Sequence, residues 1–400
     1  CILCGRCVRI CQDVRGVGAI SFVNRGRETI IGSAFDHPLA EAGCRFCGAC
    51  VEVCPTGALN DRNLPWKTSV EREDALVPCK HACPARVDIP RYVRLIAEGK
   101  YAEAVAVIRE KVPFPRILGR ICTHPCEDLC RREELNEPIA IRNLKRFVAD
   151  RDSGLWRRNL KLMPPTGRKI AVIGSGPAGL TAAYFLRKLG HSVSVFEVYP
   201  QLGGMMRVGI PEFRLPRDVL DSEIEEVRRI GVEVKTNTRI ESLDSLFKQG
   251  YDAIFVAVGA HRSIGMGVEG EDSPGVVDCI SFLRDVNLGK KVRLGKRVAV
   301  IGGGDAATDA ARTALRLGAE VTIIYRRTRV EMPANTEEVD EAMREGVNIL
   351  FLVAPSRISS KEGTVRLECI RMELGEPDAT GRRRPVPIKG SEFTMEFDAV

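Results

Sequence analysis

The chain has 400 residues, 44% hydrophobic and 28% charged, with 37 Gly, 22 Pro, 15 Cys and a formal net charge of +7. That length exceeds one ordinary core and predicts two to four domains, and no apolar run approaches the roughly 20 residues of a membrane-spanning helix. The positive charge does not predict nucleic-acid binding, because the basic residues form no stripe and aromatics make up only 6%.

Residues 1–60 are rich in Cys and Gly. Cys1, Cys4, Cys7 and Cys11 follow C-x2-C-x2-C-x3-C, and Cys44, Cys47, Cys50 and Cys54 repeat it, with Pro55 after the last. This is the spacing of two-cluster ferredoxins, in which three close thiolates wrap one cubane and the fourth reaches across to the other. By that rule Cys1, Cys4, Cys7 and Cys54 hold one 4Fe–4S cluster, and Cys44, Cys47, Cys50 and Cys11 hold the second. Zinc is the competing reading of C-x2-C pairs, disfavoured by two four-cysteine repeats with Pro only after the last. Thirteen of the 15 cysteines fall in the first 130 residues. They precede a long nucleotide-binding region, so reduced thiols holding metal in a cytoplasmic protein fit better than a secreted disulfide scaffold. A cubane held by four thiolates carries a charge of about −2, which offsets the excess of basic residues. Residues 23–31 read as a hairpin around Asn24-Arg25-Gly26. No signal peptide is visible, and the chain opens on Cys1 inside a motif and stops in a strand-like run at Val400, as a fragment would. The segment resembles the ferredoxin-like part of the large subunits of complex I, NAD-linked formate dehydrogenases and iron-only hydrogenases.

Residues 61–78 carry no clear period and read as a linker, and 79–165 read as a helical domain. Pro90 after Asp88 marks a helix start, Tyr101–Ile108 has a helical apolar face, and a helix is expected from Ile139 to Val148, burying Ile141, Leu144 and Phe147. Cys79-x3-Cys83-Pro84 is followed by Cys122-x3-Cys126-x3-Cys130. Together with Gly119–Glu127 and Pro138–Ile141, this resembles the N-terminal helical domain of the glutamate synthase small subunit and of dihydropyrimidine dehydrogenase. Family members hold two clusters there with the help of a C-x2-C pair that is missing here. The five remaining thiols suffice for one cubane and not for two. The resemblance implies a third cluster on Cys83, Cys122 and Cys126, with the fourth ligand open between Cys130 and Cys79. Buried thiols packing a helical bundle are the alternative.

After a joint at 161–167, strands and helices alternate from Lys169, as in a parallel α/β sheet. The strand Ile170–Ile173 meets Gly174-Ser175-Gly176-Pro177-Ala178-Gly179, then a helix, then the strand Ser192–Phe196 ending at Glu197. In this dinucleotide fingerprint Gly174 turns, Gly176 admits the pyrophosphate, Gly179 lets helix meet strand and Glu197 takes the ribose hydroxyls. Phosphates are favoured at the helix N-terminus by its free N–H groups and dipole. A second unit, Val298–Ile301 followed by Gly302-Gly303-Gly304-Asp305-Ala306-Ala307, begins about 127 residues later. Its second strand, Val321–Tyr325, ends at Arg326-Arg327 in place of an acid, which selects a 2′-phosphate and hence NADPH over NADH. Ala253–Val258 reads as a buried strand. The pair resembles the two-dinucleotide-binding-domain flavoproteins, and residues 168–400 resemble the glutamate synthase small-subunit family. That resemblance implies FAD in the first site (166–290) and NADP in an inserted second domain (291–400). It also implies that the stretch Gly203–Pro211, with Gly203, Gly204 and Arg207, approaches the flavin, and that Gly259 lies on a strand returning to the cofactor. The family's later Gly-Asp flavin turn lies outside these 400 residues.

The expected fold is multidomain α/β: a ferredoxin-like segment, an α-helical iron–sulfur domain and two Rossmann-like domains, one inserted in the other. Hydride transfer delivers two electrons to a flavin, whereas a cubane takes one, so FAD would split the pair. The expected function is an NAD(P)H-dependent flavin and iron–sulfur oxidoreductase serving other subunits (formate dehydrogenase, hydrogenase or glutamate synthase-like) or ferredoxin. The alternatives are the NADPH-dependent glutamate synthase small subunit itself, and a zinc-binding interaction protein with inactive nucleotide folds. The five histidines are scattered and assign no catalytic side chain, and Cys279 and Cys369 read as core thiols.

Overall fold

The computed structural model describes residues 1–61, 77–379 and 381–400. Apart from Asp61, Val77 and Pro78, the expected linker lies outside the described residues. The chain divides into two compact units: residues 1–164 with the short pieces 188–190 and 225–227, and the remainder.

The first unit opens on two short helices, α1 (Arg6–Arg9) and α2 (Ala49–Glu52), each entered through a left-handed glycine, Gly5 or Gly48. Between them β1 (Ser21–Val23) and β2 (Ile30–Gly32) pair antiparallel with Phe22 opposite Ile31, so the expected hairpin is present with a 3₁₀ turn at Gly26–Glu28. Its small core consists of Cys7, Val8 and Ile20 with Cys11, Cys50 and Val53 against them. So few apolar side chains cannot stabilise 60 residues alone, and the thiols stand where a metal staple would supply the rest.

The helical part follows as α3 (Pro78–Ala82), α4 (Ile89–Ala97), α5 (Tyr101–Arg109), α6 (Pro115–Ile121), α7 (Pro125–Asp128) and α8 (Ile141–Asp150). Proline supplies the first turn of α3, α4, α6 and α7, where its missing N–H costs nothing. Asp88 caps α4 by accepting from the Arg91 amide at 3.2 Å. Tyr92, Val105, Ile108, Ile141 and Val148 form the core. The helix expected from Ile139 starts at Ile141, and it leaves Leu144 and Phe147 half-buried while burying Val148 and Ala149.

In the second unit β3 (Lys169–Ile173), α9 (Pro177–Lys188), β4 (Ser192–Phe196), α10 (Met205–Val208), α11 (Arg217–Arg229), β5 (Glu233–Lys235), α12 (Leu243–Lys248) and β6 (Ala253–Val256) make one half. Its parallel sheet runs β5-β4-β3-β6. Then α13 (Cys279–Asn287), β7 (Arg297–Ile301), α14 (Asp305–Arg316), β8 (Glu320–Tyr325), α15 (Thr336–Glu345) and β9 (Asn348–Phe351) build a second half around the parallel sheet β7-β8-β9.

Two expectations fail here. The Ala253–Val258 strand is not buried, for β6 is an edge strand with Phe255 41% and Val256 54% exposed. The α/β alternation also stops after β9. Residues 353–397 form an antiparallel sheet of β10 (Val353–Lys361), β11 (Thr364–Pro377), β12 (Arg383–Pro387) and β13 (Phe393–Phe397), with β11 central. The cause is local. Glu362 and Gly363 both take positive φ, as a tight hairpin turn requires, and Val365, Leu367 and Cys369 alternate inward at period two. Among the described residues no helix is long and apolar enough to cross a membrane.

Candidate functional site

The two ferredoxin-like repeats fold alike around sulfur. Leu3 and Phe46, each two residues after a leading cysteine, take left-handed φ of 52° and 49°. That turns their amides onto Cys1 Sγ and Cys44 Sγ, both at 3.4 Å. Non-glycine residues adopt this conformation at a cost, and such strain concentrates where a ligand is held. Cys7 feels the charges of Cys4 and Cys54, while Cys44 and Cys50 feel those of Cys47 and Cys11. Burial raises the Cys7 and Cys44 thiols and pushes Cys50 up to about 11. Cys54 goes the other way, to about 7, because the Leu59 amide, with those of Thr56 and Ala58, points at its sulfur. Hydrogen bonds to sulfur stabilise the thiolate and tune a cluster's potential.

The same turn recurs in the helical part. His124, two residues after Cys122, has φ 45° and donates its amide to Cys122 Sγ at 3.4 Å. Cys126 senses Cys122 and Cys83, and Lys145 pulls against the burial that pushes its thiol to about 12. Cys79, raised by burial to about 11, senses Cys130, whose Sγ accepts the Ile139 amide at 3.5 Å. Cys126 thus feels Cys122 and Cys83, Cys79 feels Cys130, and Cys79, Cys83 and Cys126 pack into one core with the buried Tyr92. Cys79 and Cys130 line a cavity shared with Cys47. Among the described residues no group of three or more His, Cys, Asp or Glu gathers around one ion position. A cubane instead takes one thiolate per iron. Cys279 and Cys369 are also pushed up to about 11 by burial, and Cys369 is fully buried. A raised thiol is thus common to core and candidate ligand, whereas the left-handed amide-bearing turn is found at Cys1, Cys44 and Cys122.

In the first glycine-rich turn, two of the three fingerprint glycines sit where a Cβ would collide. Gly174 has φ 101°, and a Cβ there would lie 2.3 Å from the Ala257 carbonyl oxygen. A Cβ on Gly179 would lie 2.0 Å from the Gly174 oxygen, so helix α9 can approach β3 only with glycine there. A Cβ on Gly176 would make an ordinary 4.0 Å contact with Gly204 Cα, whereas a Cβ on Gly204 would lie 2.6 Å from Gly176 Cα. Glu197 is buried: Oε2 accepts from the Ser175 amide at 2.9 Å and its hydroxyl at 2.5 Å, and Oε1 accepts from the Tyr199 amide at 2.9 Å. Carboxylate oxygens have lone pairs beyond these, so the residue braces the turn and keeps acceptor capacity. Gly203 donates to the Ser175 carbonyl at 3.2 Å, which ties the 203–208 loop over the fingerprint. Arg207 is buried too, with Nε on the Leu202 carbonyl and Nη2 on Asp221. It shapes the loop from within. Gly259 takes φ 71° just beyond β6.

In the second turn Gly302 has φ 134°, and a Cβ on Gly303 would meet the Tyr325 ring at 2.5 Å. Gly304 begins α14 and its Cβ position is open, with Pro333 Cγ at 4.0 Å. Ala307 is buried opposite Gly302, where its methyl group fits in place of a third glycine. Asp305 accepts the Asn335 amide at 3.0 Å, and the Gly303 carbonyl accepts that of Ala334 at 3.1 Å. The two arginines after β8 diverge. Arg326 is exposed, whereas Arg327 is 5% exposed and donates to the Arg383 carbonyl at 2.7 Å and Asp378 at 3.0 Å. Ser175, Asp305 and the buried pair Arg214–Asp309 lay outside the expected site residues. An acid at 309, one turn after Asp305 in a helix of small residues, was the readable signal for the last.

Paired dinucleotide turns behind cysteine-rich segments define an iron–sulfur-bearing oxidoreductase. Residues 168–380 match the pyridine nucleotide-disulphide oxidoreductase family, residues 74–154 match dihydropyrimidine dehydrogenase domain II, 4Fe-4S cluster, and residues 1–60 match the ferredoxin-like domain of NADH-quinone oxidoreductase subunit 3. The chain belongs to the pyridine nucleotide-disulphide oxidoreductase family. It is 47% identical over 353 residues to NADP(+)-dependent formate dehydrogenase subunit beta of Moorella thermoacetica, matching 81% of this chain and 50% of that one. It is 37% identical over 342 residues to the glutamate synthase [NADPH] small chain of Escherichia coli, matching 80% of this chain and 72% of that one. The Mycobacterium tuberculosis FprA structure in complex with NADPH shares the fold, with a TM-score of 0.51 and 22% identity over 58% of this chain and 69% of that one. The chain thus spans about half the length of the formate dehydrogenase relative.

Proposed function

We propose that this chain oxidises NADPH and passes the electrons through FAD to 4Fe–4S clusters and on to a partner subunit or ferredoxin. When bound, the flavin takes both electrons of a hydride and the clusters carry one each. FAD would lie along the Gly174–Gly179 turn under Gly203 and Gly204, with Glu197 toward its ribose. NADPH would lie along Gly302–Ala307, and Arg326 is the arginine free to meet a 2′-phosphate. The eight ferredoxin-like cysteines would hold two clusters in the crossed arrangement. Cys83, Cys122 and Cys126 would hold a third, with Cys79 or Cys130 as its fourth ligand. Thiols that must stay reduced suit a cytoplasmic setting.

The observation that carries this reading is the left-handed turn aimed at sulfur, present at Cys1, Cys44 and Cys122 in one chain with two dinucleotide turns. A partner of the formate dehydrogenase type is favoured by the 47% identical relative, which is named a beta subunit. Glutamate synthase is the second reading, supported by the 37% identical small chain. The test is to purify the protein anaerobically with its co-purifying subunits and assay formate-, hydrogen- and glutamine-dependent turnover. Glutamate formation alone would replace the first reading with the second.

A further inference from the structure

One contact between the two dinucleotide-binding halves is more elaborate than packing requires. The loop between α10 and α11 of the first half reaches onto α14 of the second. The Phe213 ring lies 3.9 Å from the Arg316 guanidinium and 4.7 Å from that of Arg312. Both arginines are themselves held by Glu345, so the ring rests on a fixed platform. Beside it Arg214 Nη1 donates to Asp309 Oδ2 at 2.6 Å, with the two side chains only 11% and 6% exposed. Asp309 Oδ1 is buried, and among the described residues none donates a hydrogen bond to it.

A buried ion pair contributes little net stability, because desolvation offsets the attraction, but it tolerates one geometry. An apolar contact would hold the halves as firmly and let them slide. Asp309 also stands on the helix that starts at Gly304, so whatever fixes Asp309 fixes the second dinucleotide turn relative to the first. We infer that the Phe213–Arg214 finger and its seat on α14 are a register lock between the two halves. Arg214 and Asp309 are then positioning residues that bring the nicotinamide to the flavin without touching either. This rests on the reading that hydride passes between those two sites.

The test uses the full chain, comparing Arg214→Met, Asp309→Asn, Arg214→Lys and Phe213→Leu with the parent. Three quantities are measured: NADP⁺ affinity, the anaerobic rate of flavin bleaching by NADPH, and hydrogen exchange across 208–217 and α14. A misplacement of about an ångström can slow a reaction about a hundredfold, and the Met and Asn variants should slow bleaching by that order. Their NADP⁺ affinity should be unchanged, exchange should rise in the finger and α14 while α9 stays protected, and Arg214→Lys should recover most of the rate. If Arg214→Met does not fold, Phe213→Leu should show the same split between rate and affinity. Equal rates in parent and variants, or affinity lost in step with rate, would overturn the lock. A parent that NADPH cannot bleach at all would instead defeat the hydride reading.

Discussion

The two arginines after β8 give the sharpest division between a binding and a structural role. Arg326 is exposed, so replacing it with alanine should leave the core intact. It would remove one charge-assisted hydrogen bond to a 2′-phosphate, which is worth about 1.5–3 kcal/mol, or roughly ten- to 150-fold. Solvent screening puts the expectation near the lower end. Arg327→Ala strips Asp378 and the Arg383 carbonyl of a partner that is 5% exposed. Removing one member of such a pair costs about 2–3 kcal/mol after allowing for the partial exposure of Asp378, or about 5–10 °C in melting temperature. The assay is anaerobic flavin bleaching by NADPH and NADH, with thermal unfolding run in parallel. Arg326→Ala should lose at least about tenfold of the NADPH preference at unchanged stability. Arg327→Ala should lose stability while keeping the preference. The reverse assignment, or an unchanged preference in Arg326→Ala, would refute the reasoning.

Three further outcomes follow from the geometry. Gly179→Ala would place a Cβ 2.0 Å from the Gly174 oxygen, so α9 must move; the expected cost is about 1–3 kcal/mol with loss of bound FAD, and full flavin content would contradict it. Cys122→Ala should lower iron and sulfide together by one cluster's share, whereas Cys369→Ala should leave both unchanged, and equal iron in the two variants would defeat the assignment of Cys122. Burial pushes the Asp309 carboxyl up to about 6 against the pull of Arg214. The folded chain then holds that proton more tightly than the unfolded one, whose pKa is about 3.9. This group's contribution is therefore complete below about pH 4 and is lost as pH rises through about 6. Asp309→Asn should flatten stability across that window by about 2–3 kcal/mol in denaturant titrations, and an unaltered slope would count against it.

Much of this was legible because it rests on spacing. Two cysteine repeats, the Gly174–Gly179 fingerprint and the acid at Glu197 are local patterns with local geometry, and each reappears as the turn its residues imply. What could not be read depends on partners distant in sequence. Arg326 and Arg327 are equivalent until Asp378, some 50 residues on, claims one of them. Phe213, Arg214 and Asp309 carry no motif, and only folding brings the loop onto α14. The apolar run of β6 looks buried because composition does not say which strand lies at a sheet's edge. The five helical-part thiols read as one set by count, and the count leaves open that Cys79 feels Cys130 while Cys126 feels Cys122 and Cys83. The antiparallel sheet after β9 was signalled by the alternation at 364–370, which the prior α/β rhythm obscured.

The proposed electron path runs from NADPH through flavin to iron–sulfur clusters. Anaerobic titration of the purified protein with NADPH, followed by visible absorption and low-temperature electron paramagnetic resonance, tests it most directly. The expected result is equal iron and acid-labile sulfide, flavin bleaching, and the signal of reduced 4Fe–4S clusters growing in with NADPH. Zinc without sulfide, or a flavin that bleaches while the clusters stay oxidised, would contradict it.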